Sequence, residues 1–488
     1  MRPSRIDGPA GGASAPSLAL RLAAPPPENL RDASAVAELF IGVFRRDLLA
    51  FFPLTCVDPC QNPTSSIPYS GSGPDFHLID GEDATDLCIT MFGARYRLRL
   101  RNGLPFSARD RRLIRAIGAV LSLRYHHAFL ISNTERLELY RGGSEDHYVA
   151  AYIEPTDYEA PATRPSRIAS AIQTLRTAAL STYENHRVST GALLVGPIDD
   201  PGHPSYPTSL DALPYGVQLT ALKSIHRLCD GERTLFQVDR SGRLAGIIDV
   251  KRFAAEVPGP DRPEVPCARA YQAHARATRV GGHVCVVLSP NQEIKLFAGG
   301  TQAFAFAHGC WRLLDPQAKF AVWQRAVVSP DLAWTLFQAA LNLAEARQGA
   351  LFVVLDDPVA AFGKLISPSD RLSDEVSSGP PIALAPRDPL AKRALHYLAR
   401  GRNALELDPA VLESLASLDG ALATDHDGRL LAFGAILRHD PSELPAFSAA
   451  EGARTTAALT ASRHGPVLKV SEDGTVSCFL GGIRAWDL

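Results

Sequence analysis

The chain has 488 residues, and its 50 lysines and arginines nearly balance its 52 aspartates and glutamates. This length allows several domains, each with its own buried core. The balanced charge excludes the global basic field that would indicate binding to nucleic acid or to an anionic membrane surface. No apolar run approaches the length needed to cross a bilayer, so no membrane partner is expected. The eight cysteines are scattered, which suits free thiols in a reducing cytoplasm.

The first 30 residues are rich in Gly, Ala, Ser and Pro. They contain no continuous apolar segment, because Arg21 interrupts the stretch "LALRLAA". The composition therefore predicts a disordered tail over residues 1–30 rather than a signal peptide.

Residues 31–155 mix helical and strand patterns. The stretch "DASAVAELFIGVFRRDLLAFF" has helical spacing, and "FGARYRLRLRNG" alternates as a strand does. Ser107 and Asp110 form a capping pattern at the start of a further helix. The pattern around them, "G-x-PFS-x-x-D-x-x-L", resembles the end of GAF-type sensor domains over a short stretch. The resemblance implies an α+β sensor-like module over residues 31–155 that receives a small-molecule or protein signal.

One plan of helix, strand, helix, hairpin, helix and hairpin runs twice through the rest of the chain. The first copy reaches the apolar run "TGALLVG" after a helix, and the second copy reaches "QGALFVVL". In the second copy we expect Asp331 to cap the helix and Gly349 to end it. The pattern predicts two α/β domains, over residues 165–325 and 326–488.

Polar residues later in the two copies also align, as do the hairpin turns "DRSGRLAG" and "DHDGRLLAFG". The matched pairs are Asp230 with Asp419, Gly231 with Gly420, Arg269 with Arg454, and Ser289 with Ser471. The alternative is a generic α/β composition in which common D-x-G hairpin turns recur without duplication.

Asp419 follows a predicted helix that begins at Asp408 and Pro409, and it precedes a predicted strand. A carboxylate held between two regular elements can bind a divalent metal or orient a hydroxyl. Gly420 and Ala421 have little side chain, so a planar ligand could approach the backbone beside them. The alternative is that Asp419 is an ordinary turn residue.

The stretch "GARTTAALTAS" begins a helix, and helix N-termini favour phosphate groups. Arg454 adds a fork of donors there, and Thr455 and Thr456 add hydroxyls. In "VSEDGTVS", Ser471 and Glu472 stand at a strand end, where Glu472 could be a second acidic ligand for Mg²⁺ or Mn²⁺. Singly, these residues could be a surface cation and a plain hairpin turn. Together they predict a nucleotide site without a Walker A loop or a Rossmann fingerprint.

The combined pattern resembles the diadenylate cyclase domain family over residues 330–485. The family carries a strand like "GALFVVL", then "HDGA", "GTRHRAA" and a "VSEE"-like turn; this chain has "GALFVVL", "LDGA", "GARTTAA" and "VSEDG". The resemblance implies an α/β domain with a mixed sheet flanked by helices. It also implies condensation of two ATP into cyclic di-AMP and two pyrophosphates. In the family two domains face each other, and the 3′-hydroxyl of one ATP attacks the α-phosphate of the other.

The resemblance also implies a role for each matching residue. Asp419 would bind the Mg²⁺ or Mn²⁺ ion and help to activate the 3′-hydroxyl, with Glu472 assisting the metal. The nucleotide-binding residues would be Gly420 and Ala421 along the pocket, Arg454, Thr455 and Thr456 at the triphosphate, and Ser471 at a phosphate.

The chain departs from the family pattern at several positions. The Arg-His-Arg of the family is Arg454-Thr455-Thr456 here, and the His before the acid is Leu418. These changes remove a cation and an imidazole, which should weaken triphosphate binding. The first copy departs further, with Glu232 after its acid-glycine pair, and we interpret it as a degenerate domain of the same kind.

Three functional hypotheses follow from these patterns. The first is a diadenylate cyclase controlled by the N-terminal module, and the second is a non-catalytic sensor that binds ATP or cyclic di-AMP. The third is a structural or partner-binding protein. For the cyclase we expect either an intramolecular pseudo-dimer of the two copies or a homodimer.

Overall fold

The computed structural model describes residues 30–60, 76–80, 85–92, 94–101, 105–128, 143–158, 166–197, 213–221, 223–260, 262–372, 396–438 and 452–488. The chain divides into two compact units, residues 1–166 and residues 167–488. Apart from its last residue, the predicted tail lies outside the described residues.

The first unit contains helices and one antiparallel sheet. Its elements are α1 (Leu30–Phe51), β1 (Thr55–Pro59), β2 (Phe76–Asp80), β3 (Asp86–Met91), β4 (Ala94–Leu100), α2 (Ala108–Ala128), α3 (Ser144–Ile153) and a 3-10 turn (Pro155–Tyr158). The strands pair in the order β1-β4-β3-β2. The capping prediction is confirmed, because Ser107 Oγ accepts from Asp110 N at 3.1 Å and Asp110 Oδ2 accepts from Ser107 N at 2.8 Å.

A buried hydrogen bond joins the first and third helices of this unit. The Tyr148 hydroxyl donates to Asp47 Oδ2 at 2.6 Å, and both side chains are buried. Burial, and then the charge of Asp47, raise the pKa of Tyr148 well above its ordinary value. The phenol therefore stays protonated and keeps donating to the carboxylate.

The first half of the second unit has a seven-stranded sheet. Its elements are α4 (Arg167–Ala179), β5 (Thr182–Tyr183), β6 (His186–Arg187), β7 (Thr190–Leu194), β8 (Thr234–Val238), β9 (Leu244–Asp249), α5 (Val250–Glu256), α6 (Gln272–Ala277), β10 (Val284–Leu288), β11 (Ile294–Ala298), β12 (Thr301–Ala307), β13 (Cys310–Leu313) and α7 (Pro316–Val327). The strand order is β13-β12-β11-β10-β7-β8-β9, and β5 pairs with β6 in a separate ribbon. The helix predicted before Asp230 is instead a pair of 3-10 turns, Val217–Ala221 and Lys223–Arg227.

The second half has a six-stranded sheet. Its elements are α8 (Pro330–Glu345), β14 (Ala350–Val354), α9 (Pro358–Lys364), α10 (Pro409–Ala416), β15 (Ala421–Thr424), β16 (Leu430–Ala435), α11 (Ala453–Ala461), β17 (Val467–Val470), β18 (Val476–Leu480) and β19 (Ile483–Asp487). The strand order is β16-β15-β14-β17-β18-β19. The prediction for the start of α10 is confirmed, since the Asp408 carboxylate accepts from Ala410 N and Pro409 is the first helical residue.

The two sheets share one topology. The order β9-β8-β7-β10-β11-β12 in the first half corresponds to β16-β15-β14-β17-β18-β19 in the second. In each half the second pair of this order, β8 with β7 and β15 with β14, is parallel, and the other pairs are antiparallel. The first hairpins also close alike: Asp239 Oδ1 accepts from Arg243 N, and Asp425 Oδ1 accepts from Arg429 N, both at 2.9 Å. The predicted α/β fold class is confirmed.

The start of α8 differs from the prediction. Its cap is Ser329, whose hydroxyl accepts from Leu332 N, because Pro330 occupies the first helical position and leaves the capping position to the residue before it. Asp331 lies in the first turn and forms an ion pair with Arg262 at 2.9 Å.

The end of α8 also differs from the prediction. The helix ends at Glu345, and Arg347 adopts the left-handed conformation with a φ of 56°. Gly349 comes later, directly before β14, where a Cβ atom would lie 2.0 Å from Arg454 Nη1. The glycine therefore leaves room for a guanidinium group against the backbone and does not end the helix.

Strand β14 lies inside the second sheet, and both of its faces are buried. Phe352 and Val354 belong to the core that contains α8 and α10, while Leu351 and Val353 belong to the core that contains α9 and α11. This is the continuous apolar run expected of a central strand covered on both faces. Within the described ranges, we find no helix with the length and apolarity that a membrane span requires.

A buried ionic network joins the two halves of the second unit. The Lys295 side chain on β11 is 8 % exposed, and its Nζ lies 2.6 Å from Glu345 on α8 and 3.1 Å from Glu293. Arg347 contacts Glu293 at 2.5 Å, and the Tyr271 hydroxyl donates to Glu345 at 3.1 Å. Burial lowers the pKa of Lys295, but the two carboxylates outweigh it and raise that pKa above its ordinary value. The network therefore keeps a charged lysine between the halves.

Replacing Lys295 should destabilise the second unit. In Lys295→Met two half-buried carboxylates lose their shared cation, which should lower the free energy of unfolding by about 3 kcal/mol. Lys251→Met is the matched control, because Lys251 is exposed on α5 and should change stability by less than about 0.5 kcal/mol. Urea unfolding followed by circular dichroism measures both. Equal unfolding midpoints for the two variants would contradict the role of the network.

Candidate functional site

The predicted site residues of the second half meet at one edge of its sheet. Ala350 pairs with Val470, so Gly349 and Ser471 are the next residues at this edge on β14 and β17. Phe352 pairs with Leu422, so Asp419 is the corresponding residue before β15. Side chains alternate along strands, and Leu351 and Ala421 both face the α11 core. Gly349 therefore lies on the α11 face of the sheet. Asp419 lies two residues before Ala421, which is on the same face.

Arg454 connects the first turn of α11 to this edge. Its Nη1 donates to Glu472 Oε1 at 3.1 Å, and its guanidinium lies against Gly349. The Arg454 side chain is 35 % exposed and that of Glu472 is 72 % exposed. The structure thus brings two predicted site residues together, as an ion pair with each other.

The first turn of α11 begins at this edge of the sheet. Gly452 is the capping residue, its carbonyl accepts from Thr455 N at 2.8 Å, and no described side chain caps the helix. Thr455 is buried, and its hydroxyl accepts from Lys469 Nζ at 2.8 Å, whereas Thr456 is half-buried. Arg454, Lys469 and the positive end of the helix dipole together bring positive charge to the α11 face of this edge.

Asp419 is exposed, and its carboxylate forms no hydrogen bond or ion pair with any described residue. The next two residues have packing roles. Gly420 has a φ of 113°, and a Cβ there would lie 2.4 Å from the carbonyl carbon of Gly434 on β16. Ala421 is fully buried in the core. Gly420 and Ala421 hence hold Asp419 at the sheet edge, and the side chain of Ala421 points into the core.

Ser471 and Glu472 belong to the β17–β18 turn. Ser471 N donates to Thr475 O at 2.9 Å, and Gly474 N donates to Ser471 O at 3.0 Å. The Ser471 side chain is half-buried, and Glu472 is exposed. These backbone bonds hold the turn closed, which keeps Glu472 within reach of Arg454.

The carboxylates at this edge differ in how well they could bind a divalent metal. Among the described residues no group of three or more His, Cys, Asp or Glu side chains is arranged to hold a metal ion. Mg²⁺, however, often binds through one or two carboxylates together with substrate phosphates. Asp419 fits that pattern, since its carboxylate has no described partner. Glu472 fits it less well, because Arg454 already neutralises it.

The first half uses its aspartate differently. Asp230 Oδ1 accepts from the backbone N–H groups of Glu232, Arg233 and Thr234 at 2.7–3.0 Å. Burial raises the pKa of Asp230, but these bonds and the Arg233 side chain outweigh it and lower that pKa to about 2. Asp230 precedes its hairpin aspartate, Asp239, by nine residues, whereas Asp419 precedes Asp425 by six. The two acids are therefore out of register by three residues, and Asp230 serves as a turn cap.

The corresponding arginine of the first half is also engaged elsewhere. Arg269 N donates to Asn342 Oδ1 at 2.7 Å, and the Arg269 guanidinium donates to Glu413 at 2.8 Å. Beside Ser289, Asn291 donates to the carbonyl of Glu345 at 2.8 Å. The edge of the first half is thus covered by α8 and α10 of the second half.

Two residues at this edge were not among the predicted site residues. Lys469 brings a cation to Thr455, and Gly349 lets Arg454 lie on the sheet. Lys469 could have been noticed, because "VLKV" places a lone charge in an apolar strand directly before "SEDG". Gly349 carried no separate signal, since its role depends on a residue distant in the sequence.

Comparisons with known proteins give little further information. No model of a protein family matches the chain, and no curated protein matches it. Several solved structures are similar to part of it, and two of them are as follows. A hypothetical membrane-spanning protein from Bacillus cereus has 20 % identity and a TM-score of 0.24, covering 34 % of this chain and 69 % of that one. A double cysteine mutant of DacA, a diadenylate cyclase from Staphylococcus aureus, has 18 % identity and a TM-score of 0.20, covering 32 % and 86 %. Similarity at these TM-scores does not support a function.

The capping role of Asp230 predicts a pH dependence. With a folded pKa of about 2 against an ordinary value near 3.8, its charge stabilises the fold above about pH 4. That contribution is lost as the pH falls from about 4 towards 2. Asp230→Asn keeps the acceptor oxygen but has no charge. The difference in unfolding free energy between the wild type and Asp230→Asn should therefore be largest at pH 5 and shrink towards pH 3. Urea unfolding at several pH values measures it, and a pH-independent difference would contradict the assignment.

Proposed function

We propose that the second half is a nucleotide-binding domain that condenses two ATP into cyclic di-AMP and two pyrophosphates. One observation carries the proposal: Asp419, Arg454 and Ser471, together with the start of α11, meet at a single sheet edge. These are the residues that the resemblance to diadenylate cyclase domains assigns to the reaction. Control would come from the N-terminal module, through a small-molecule or protein signal.

The electropositive part of this edge would hold the triphosphate. Arg454, Lys469 and the first N–H groups of α11 would supply donors on one face of the sheet. Lys469 compensates in part for the cation that the Arg-Thr-Thr sequence lacks. The hydroxyls of Thr456 and Ser471 would donate to phosphate oxygens. Because Glu472 pairs with Arg454 in the free protein, it would have to release this guanidinium when ATP binds.

Asp419 would orient the attacking 3′-hydroxyl. A bound Mg²⁺ or Mn²⁺ ion would supply charge stabilisation for the leaving pyrophosphate. Asp419 would be the protein ligand of that ion, with Glu472 available once Arg454 contacts phosphate. In the reaction each 3′-oxygen forms a bond to the α-phosphorus of the other ATP. The bond from that phosphorus to pyrophosphate breaks, pyrophosphate leaves, and the hydroxyl proton passes to water.

The second ATP would come from another copy of the chain. In the first half, Asp230 caps a turn and Arg269 is bound to Glu413. The contacts between the halves join α8 of the second to the segment around Arg269 of the first, and these surfaces are not equivalent. A pseudo-dimer with two facing sites requires equivalent surfaces. This favours a homodimer of second halves over the intramolecular pseudo-dimer.

The rival function is a sensor that binds ATP or cyclic di-AMP without turnover. It is favoured by the absence of a histidine before Asp419, where Leu418 stands exposed, and by the pairing of Arg454 with Glu472. Both features weaken the groups that would stabilise a transition state more than those that would bind a ground state.

An activity assay separates the two functions. Full-length protein is incubated with ATP and Mn²⁺, or with Mg²⁺, and the products are resolved by mass. The cyclase predicts cyclic di-AMP from the wild type, and a loss of at least about 100-fold in Asp419→Asn, because the lost carboxylate orients the hydroxyl. Asp427→Asn is the matched control, since Asp427 is an exposed aspartate beyond the other end of β15 and should leave activity unchanged.

A failed reaction would still be informative. No product, with saturable ATP binding that Arg454→Ala weakens, would replace the cyclase by the sensor. Neither product nor binding would contradict both functions. Equal activity in Asp419→Asn and Asp427→Asn would remove Asp419 from the site.

Lys469 gives a separate test of phosphate binding. Lys469→Met should weaken ATP binding about tenfold or more, because a hydrogen bond to a charged group is lost. Lys251→Met is again the control and should bind ATP as the wild type does. Equilibrium dialysis measures the affinities, and thermal unfolding shows whether both variants are folded. Unchanged affinity in Lys469→Met would exclude the lysine from the site.

A further inference from the structure

A cleft lies between the two halves of the second unit, away from the α11 face. Its volume is about 110 Å³. Strands β11, β12 and β13 of the first half form its floor, and α8 and the β17–β18 turn of the second half form its roof. A water molecule needs about 10–15 Å³ on this scale, so the cleft has room for roughly eight to ten non-hydrogen atoms.

Small residues on β12 create the space. Lys295 pairs with Ala305, and Ala305 pairs with Arg312, so these three residues form one row across the floor. Side chains of directly paired residues lie on the same face of a sheet. Two long cationic side chains therefore stand on either side of an alanine, and the depression between them is the floor of the cleft.

Some of the charged side chains around the cleft have an oppositely charged partner among the described residues, and others do not. Lys295 is neutralised by Glu293 and Glu345. Burial raises the pKa of Asp473, but the Thr475 N–H group and nearby cations outweigh it and lower that pKa, so Asp473 is ionised and already stabilised. Arg312 is half-buried, and no described residue forms an ion pair or hydrogen bond with it.

The rest of the lining includes polar residues such as Gln302 and His308, but one wall is apolar. Leu341 and Ala344 of α8, together with Val476 of β18, face the cleft from the second half. A small inorganic ion would leave these surfaces without contacts. A ligand with one anionic group and an apolar body would contact both Arg312 and the apolar wall.

We propose that this cleft binds a small organic anion. Its carboxylate or phosphate group would be held by the Arg312 guanidinium, which suits planar, bidentate recognition of such groups. Its apolar body would lie over Ala305 and against Leu341. Lys295 has a third N–H group beyond the two used by the carboxylates, and it would add a second donor.

The test uses full-length protein and three aromatic probes of similar size. Benzoate carries a carboxylate, phenyl phosphate carries a phosphate, and benzamide is the uncharged counterpart of benzoate. Affinities are measured by saturation-transfer NMR titration. We expect saturable binding of at least one anion, with benzamide at least tenfold weaker. Which anion binds more tightly decides between a carboxylate and a phosphate ligand.

Two variants locate the binding. Arg312→Gln should weaken anion binding at least tenfold, whereas Arg325→Gln, on the exposed side of α7, should not change it. Ala305→Leu fills the depression and should abolish binding with Arg312 intact. Thermal unfolding of each variant shows that it is folded. No saturable binding at millimolar concentrations, equal binding of benzamide, or unchanged binding in both Arg312→Gln and Ala305→Leu would overturn the proposal.

Discussion

The arrangement of the second unit depends on one buried charge. Lys295 is almost fully covered, and an ammonium group in that position requires compensation. Glu293 comes from its own half and Glu345 from the other, so the charge is satisfied only when the two halves are docked. Glu293 also contacts Arg347, whose guanidinium lies beside Gly474 in the β17–β18 turn. One lysine therefore links the sheet of the first half to the turn that carries Ser471 and Glu472.

This docking gives the two halves different roles. Their sheets have the same topology and the same first hairpin, so the repeated plan of the sequence is also a repeated plan of the fold. Their edges nevertheless differ. In the first half Asp230 accepts hydrogen bonds from backbone N–H groups, and Arg269 forms an ion pair with Glu413. In the second half Asp419 is exposed. Similar motifs thus form a docking surface in the first half and a candidate site in the second.

In the candidate site most charged side chains already have a partner, whereas Asp419 has none among the described residues. Arg454 and Glu472 neutralise each other, and Lys469 is directed at Thr455. A nucleotide would compete with Glu472 for the guanidinium, because a triphosphate carries more negative charge than one carboxylate. In the free protein an exposed ion pair orients the Arg454 guanidinium, and pairs of this kind are weak enough to exchange for another anion.

The sequence by itself determined the local elements and the repeated plan. The apolar runs predicted β7 and β14, the Ser107–Asp110 pattern predicted a capping box, and Asp408 with Pro409 predicted the start of α10, because these signals act over a few residues. Even locally, Pro330 moved the cap of α8 to Ser329.

The tertiary structure decided which contacts the motif residues make and which of them are buried. Gly349 lies under Arg454, and Ala421 is buried in the core, because neighbouring strands bring together residues far apart in the chain. The same holds for Arg269, whose partner Glu413 lies in the other half. Local pattern fixes which residues form a helix or strand, whereas the partner of a charged side chain depends on which surfaces pack together.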